Sequence, residues 1–174
     1  MNHISVYIDT NCINARGNDF FLNKLEKLYD EEKILIEKTD TLDTELREGK
    51  GYPAGEKKSS QYVESFGQAL VGHSRVGTSL VGDPDDSKRL SRILTLLWGS
   101  KPQSAYKKNC LRDSMHLSTA IRYGGTFFVT GEKAILNKAQ LIEVEFGIKI
   151  RNPKDCLTEV EEMIRKYELY KKDI

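Results

Sequence analysis

Apolar residues follow two different periods along this chain, and the two kinds of segment alternate. A period of two runs through residues 4–8, and short apolar runs recur at residues 34–36, 126–130 and 148–150. Such runs are typical of strands. Between them, apolar residues recur at helical spacing. This alternation predicts an α/β fold: a three-layer domain in which helices flank a central, mostly parallel sheet.

Start and stop signals give the predicted helices their approximate bounds. Asp19 can cap one helix, and Asn152-Pro153 precedes the last one. The clearest pattern is that of residues 87–98, whose apolar side chains form one stripe and which a glycine can close. The other predicted helices begin near residue 41, run through residues 61–71, extend from residue 113 to about residue 123, and cover residues 134–141.

Two acidic residues come directly after predicted strands. Asp9 follows the first strand, and Glu132 follows the strand of residues 126–130. Because open α/β sheets bind ligands in the crevice at the carboxyl ends of their strands, both carboxylates are expected at a ligand site. An Asp at such a junction can also cap a helix, and for Asp9 that interpretation stays open beside the first.

A third acid lies on the apolar side of a predicted helix. The residues four, seven and eight positions after Asp113 are Leu117, Ala120 and Ile121, so the Asp113 carboxylate points towards the core. A carboxylate in that position must be satisfied by a helix cap, a partner or a metal ion.

The fourth acid, Glu45, lies beside the apolar face of the helix that begins near residue 41. Leu42 and Leu46 are one turn apart on that face and leave Glu45 next to it. Asp43 is a rival for the same role, although helix capping or exposure to solvent would suit Asp43 equally well.

In their order along the chain, these segments resemble the PIN-domain ribonuclease family, which includes the toxin nucleases of VapBC-type toxin and antitoxin pairs. Each motif alone is weak, but their order and their strand or helix settings together are fairly specific. The resemblance covers roughly residues 1–48 and 105–152. The matching motifs are residues 8–11 (IDTN), Glu45-Leu46, residues 113–120 (DSMHLSTA) and residues 128–133 (FVTGEK).

The resemblance implies a function and a set of site residues. Asp9, Glu45, Asp113 and Glu132 would together bind Mg²⁺ or Mn²⁺ and hydrolyse RNA, leaving a 5′ phosphate and a 3′ hydroxyl. These metals favour oxygen ligands, and clustered acids repel one another unless a cation neutralises them. The supporting polar groups on the substrate side would be Asn11 and Thr130. The resemblance also implies an antitoxin protein as a possible partner, and the terminal helix could pair with a second copy.

Charge is distributed unevenly over what is otherwise the composition of one soluble domain, residues 1–174. Ten of the 27 basic residues but only five of the 26 acidic ones fall between Gly49 and Cys110. A basic helical insert at about residues 49–104 would attract phosphates to an acidic site, although a charge run is more often a solvated face. Its proposed phosphate contacts are Arg75, in a glycine-rich loop, and Arg89 and Arg92, on the helix of residues 87–98.

Other classes of protein are weakened or left open. The three cysteines lack Cys-x-x-Cys spacing, which argues against structural zinc, and three thiols without a secretory signal are expected in the cytoplasm. No apolar stretch approaches the roughly 20 residues that span a bilayer. Two alternatives stay open. One is a PIN-like nuclease acting on DNA or structured flaps. The other is a degenerate domain that binds nucleic acid without cutting, because family members more often carry Asp where this chain has Glu132.

Overall fold

The computed structural model describes residues 4–48, 59–74, 77 and 79–172. Its strands are β1 (Ile4–Ile8), β2 (Ile34–Thr39), β3 (Val63–Ser65), β4 (Phe127–Val129) and β5 (Lys149–Arg151). Its helices are α1 (Thr10–Ala15), α2 (Phe20–Asp30), α3 (Asp40–Glu48), α4 (Pro84–Trp98), α5 (Lys108–Arg122), α6 (Lys133–Leu136), α7 (Ala139–Phe146) and α8 (Pro153–Lys172), and a 3₁₀ turn covers Gln103–Ala105.

All neighbouring strands of the sheet are parallel, and their order is β3-β2-β1-β4-β5. The chain therefore builds outwards from β1 in one direction as far as β3, then crosses back and adds β4 and β5 on the other side. The order reverses between β1 and β4. Ligands of open parallel sheets bind at such a reversal, beyond the carboxyl ends of the strands.

Successive side chains of each strand point to opposite faces of the sheet, so each face has its own core. In β1, Val6 and Ile8 pack with residues of α2 and α8, whereas Tyr7 packs with residues of α4, α5 and α7. These two cores and the sheet between them make the three-layer α/β fold that the sequence predicts. A smaller apolar cluster joins α4 to α5, with Leu90 and Met115 among its members.

The predicted elements are largely confirmed, with two corrections. Residues 61–71 are not a helix, because Val63–Ser65 pairs with Glu37–Thr39 as the edge strand β3. That pairing depends on a neighbouring strand, which local periodicity does not show. Residues 134–141 do not form one helix either: α6 ends at Leu136, and α7 continues to Phe146, where Gly147 at φ 76° ends it.

The described part of residues 49–104 is built into the domain. It supplies β3 at the sheet edge and α4 in a helical layer. The helix α4 begins at Pro84, three residues before the predicted start, because the Asp83 and Asp86 side chains form a capping box. Among the residues that the structure describes, no helix has both the length and the apolar character needed to cross a membrane.

Asp43, the rival of Glu45 in the sequence, is buried in an ion pair. Its carboxylate accepts hydrogen bonds of 3.0 and 2.8 Å from Lys38 Nζ, and both residues are under 10 % exposed. Buried ion pairs cost much when one partner is removed, because the other charge is left uncompensated. Asp43 therefore has a structural partner and is not a solvent-exposed residue.

We expect Lys38→Met to lower the free energy of unfolding by about 3 kcal/mol, since it leaves the Asp43 charge buried and unpaired. Urea unfolding followed by circular dichroism measures this change. Lys88→Met is the matched control: its partner is Asp85, both side chains are largely exposed, and its loss should be below about 1 kcal/mol. Equal losses in the two variants would contradict the assignment.

Candidate metal centre

The carboxyl ends of β1 and β4 lie side by side at the strand-order reversal. Ile8 pairs with Val129, and the backbone N–H of Asp9 donates to the Val129 carbonyl at 3.0 Å. The residues that follow the two strands therefore meet at one point of the sheet edge. This register places Asp9 next to Thr130.

Three donors hold the Asp9 carboxylate in place. Asn11 Nδ2 and Thr130 Oγ1 donate to Oδ2 at 2.7 and 2.6 Å, and the Thr10 backbone N–H donates to Oδ1 at 2.7 Å. The last contact makes Asp9 the N-cap of α1, so the capping interpretation of this residue is confirmed. Asn11 is itself fixed, because its Oδ1 accepts from the Gly131 N–H at 3.0 Å. Asn11 and Thr130 thus act on Asp9 directly.

Glu45 reaches the same point from α3. Its Oε2 atom accepts a hydrogen bond from the Thr10 hydroxyl and lies 3.1 Å from His116 Nε2. Burial opposes ionisation of Glu45, but the neighbouring His116 and the hydrogen bonds from His116 and Thr10 outweigh it and lower the pKa of the Glu45 carboxyl. Asp9, Glu45 and His116 each offer one ligand atom within 4.8 Å of the others.

His116 is fully buried, and its two ring nitrogens have different partners. Nδ1 lies 2.5 Å from the Thr39 hydroxyl, while Nε2 faces Glu45. An ionised carboxylate can only accept a hydrogen bond, so the Nε2 atom carries a hydrogen and donates a hydrogen bond to Glu45. A metal ion could bind Nε2 only if that proton left. The arrangement therefore favours His116 as the residue that orients Glu45.

Asp113 projects from α5 towards the other acids. Its pKa is raised to about 7 by burial and by the charges of Asp9, Glu45 and Glu132, against the effect of His116. No hydrogen-bond donor reaches its carboxylate from the residues that the structure describes, whereas Asp9 has three. Asp113 is thus a half-buried carboxylate to which the described residues offer no donor, close to other negative charges.

Glu132 lies at the rim of this group. Its side chain is exposed and accepts from the Ala134 N–H at 3.2 Å, which makes it the N-cap of α6. Its charge is nevertheless close enough to raise the pKa of Asp113.

The donor set fits a divalent cation that prefers oxygen. Burial raises the pKa of Asp9, as burial and neighbouring acids raise that of Asp113, and the charge of His116, which lowers both pKa values, does not offset these effects. A cation among them would supply the compensating charge. Asp9 and Glu45 supply carboxylates of the kind that Mg²⁺ and Mn²⁺ favour, whereas Asp113 and Glu132 lie outside the group of described residues whose ligand atoms are within 4.8 Å of one another.

The basic residues predicted to contact substrate have other partners in the structure. Arg89 is paired with Asp86 and donates to Ser118, and Arg92 donates to both oxygens of Glu145 at 2.8 and 3.0 Å. These contacts join α4 to α5 and to α7. Arg75 lies outside the described residues.

The contact between His116 and Glu45 was not predicted from the sequence. One signal was present: His116 follows Asp113 by three residues on one helix, so both share a face. The roles of Thr10 and Thr39 had no such signal. Their hydroxyls meet Glu45 and His116 only because α1 contacts α3 and β2 contacts α5 in space.

Cys12 lies near these acids but is a poor candidate for a nucleophile. Burial strongly raises the pKa of the Cys12 thiol, and its Sγ donates to the carbonyl of Val129 at 3.4 Å. A buried, protonated thiol is a poor nucleophile, so Cys12 is a packing residue.

The sequence matches no protein-family model, and the search of curated proteins returned no match.

Proposed function

We propose that the protein is a metal-dependent endoribonuclease, which hydrolyses RNA phosphodiester bonds at the centre formed by Asp9, Glu45, Asp113 and Glu132. One observation carries the proposal: ligand atoms of Asp9 and Glu45 lie within 4.8 Å of each other at the strand-order reversal, and their charges act on the half-buried Asp113 carboxylate nearby. Repulsion among such carboxylates is unfavourable for folding unless a bound cation compensates their charge. The resemblance to PIN-domain ribonucleases supports RNA as the substrate.

In this proposal the acids would bind the metal, and neighbouring polar residues would orient the acids. Asp9 and Asp113 approach from β1 and α5 and would hold Mg²⁺ or Mn²⁺ together with Glu45. When bound, that metal would activate a water molecule and stabilise the charge that gathers on the phosphate oxygens. Thr130 and Asn11 keep Asp9 in one orientation, and His116 does the same for Glu45. Such preorganisation limits how much the ligands must rearrange when the substrate binds.

Two associated properties also belong to the proposal. The three cysteines are unpaired in the structure, which supports a reducing compartment such as the cytoplasm. An antitoxin partner and a homodimer follow from the resemblance, and both stay predictions.

We expect the wild-type protein to cleave labelled RNA oligonucleotides with Mn²⁺ or Mg²⁺ and to lose this activity with a chelator. Asp9→Asn should reduce cleavage by more than about 100-fold, since losing an outer partner of a metal ligand already costs roughly 10- to 100-fold. Asp30→Asn, an exposed change at the end of α2, is the control and should keep full activity.

The same assay with DNA and flap substrates separates the alternatives. Cleavage of DNA alone would replace RNA with DNA in the proposal. Metal binding without cleavage of any substrate would favour a domain that binds nucleic acid without cutting. Activity that survives in Asp9→Asn would sink the assignment of the site.

Removing one acid should stabilise the protein when no metal is bound. At pH 8 with chelator, we expect Asp113→Asn to raise the free energy of unfolding by on the order of 1 kcal/mol, equivalent to about 2–4 °C in Tm for a chain of this length. The reason is that the amide removes a half-buried charge that faces other acids. Thermal unfolding followed by circular dichroism measures the change.

Adding Mn²⁺ should reverse the order of the two proteins. The metal stabilises only the state that binds it, so it should raise the Tm of the wild type and raise that of Asp113→Asn much less. Asp30→Asn should respond as the wild type does. Equal metal responses in wild type and Asp113→Asn would remove Asp113 from the centre.

A further inference from the structure

A second charged group borders the metal centre, formed by Lys108, Arg112 and Glu48. The Arg112 side chain is only 6 % exposed, yet its NH1 and NH2 atoms both donate to the Glu48 carboxylate at 2.7 Å. Lys108 Nζ donates to the same carboxylate at 2.7 Å. Glu48 itself is 48 % exposed. A buried guanidinium therefore meets an anion that stands at the surface.

The positive side of this group is not fully satisfied by Glu48. Arg112 Nε is buried without a hydrogen-bond partner among the described residues, and so is His73 Nδ1. Burial and the charges of Arg112 and Lys108 lower the pKa of His73, which places this imidazole on the same positive patch. Arg112 Nε and His73 Nδ1 are therefore two buried nitrogens for which the described residues provide no partner, beside a half-exposed carboxylate.

The position of this group relates it to the metal centre. Arg112 directly precedes Asp113 on α5, and its charge helps to lower the pKa of Glu45. Glu48 follows Glu45 by three residues on α3, a rise of about 4.5 Å along the helix. A strand whose scissile phosphate lay at the carboxylates would therefore bring another phosphate close to Arg112.

The chemistry of the group suits a phosphate. A guanidinium presents paired N–H donors that match a carboxylate and a phosphate equally well, and lysine adds a point charge. Glu48 offers two acceptor oxygens to three donors. Its attachment is local and open to water: it sits in the last turn of α3 with half of its side chain exposed. Because about half of the Glu48 side chain already faces water, a phosphate can replace its carboxylate at these donors without moving a buried group.

We propose that Lys108 and Arg112 form a phosphate-binding subsite, which Glu48 fills in the free protein and from which a phosphate of the bound nucleic acid displaces it. The proposal rests on the proposed function for its substrate class, a single-stranded nucleic acid. In this proposal, the Glu48 carboxylate neutralises the buried Arg112 guanidinium until a phosphate of the substrate replaces it.

Binding of a fluorescein-labelled RNA oligonucleotide of mixed sequence, followed by anisotropy with chelator present, tests this subsite without any need for catalysis. Glu48→Gln should tighten binding by about three- to tenfold at low salt, because it frees two cations for phosphate. Lys108→Gln should weaken binding by about threefold and should make the plot of log K against log salt shallower by about 0.7, the value of one single-strand phosphate contact.

The matched controls lie at the amino ends of the strands, whereas the metal centre lies at the carboxyl ends. Glu31 pairs with Lys33 and Lys27 just before β2, so Glu31→Gln makes the same change in net charge and also frees two lysines. Lys33→Gln is the control for Lys108→Gln. Both controls should bind the RNA within about twofold of wild type, since charges beyond a Debye length of about 10 Å are largely screened.

The outcomes separate this proposal from the nuclease assignment. Changes at Glu48 and Lys108 no larger than those of their controls would overturn the subsite, even if cleavage depends on Asp9. The expected changes in a protein that never cleaves RNA would support the subsite and refute the nuclease. Thermal unfolding reports whether Glu48→Gln folds, and if it does not, the exposed Lys108→Gln variant decides the matter alone.

Discussion

The structure depends on one electrostatic constraint: carboxylates converge at the strand-order reversal without enough donors to satisfy them all. Glu37, in the middle of β2, shows how this fold treats a buried acid that has only a structural role. It accepts hydrogen bonds from Ser5 at 2.5 Å, from Tyr7 at 2.8 Å and from Ser65 at 3.2 Å. Asp113 receives none from the described residues. This difference between the two acids, more than their number, supports the proposal that a cation binds here.

A rigid frame is needed to hold such groups together, and the parallel sheet supplies it. Asp9 is tied to β4 through its own backbone N–H and through Thr130, so its position follows from the register of β1 and β4. Glu45 and Asp113 come from separate helices, and His116 links them, because it shares α5 with Asp113 and donates to Glu45. Repulsion among the acids is thereby opposed by contacts that extend into both helical layers.

How much of this could be read from the sequence depended on whether the determining interactions were local. The strand at residues 4–8 and the helix ending at Trp98 have periods that are visible in a few residues, and the acids after strands were visible as junctions. The edge strand β3 was not, because residues 63–65 are extended only through pairing with β2. The donor relation between His116 and Glu45 joins residues 71 positions apart, which spacing along one helix could not reveal.

Counting charges along the sequence also differs from locating them in space. The excess of basic residues between positions 49 and 110 suggested a broad attractive surface, but Arg89 and Arg92 are matched by Asp86 and Glu145 within the helical layer. Arg89 is held by the buried Asp86, whereas Arg92 and Glu145 are both partly exposed and join α4 to α7. A cation can attract a phosphate only if its present partner is easily displaced. In the proposed subsite, Arg112 differs from both, because its guanidinium is fixed by burial while the carboxylate that it binds is about half exposed. The attraction for substrate would then arise at the N-terminal end of α5, beside the acids that repel the phosphates of the substrate.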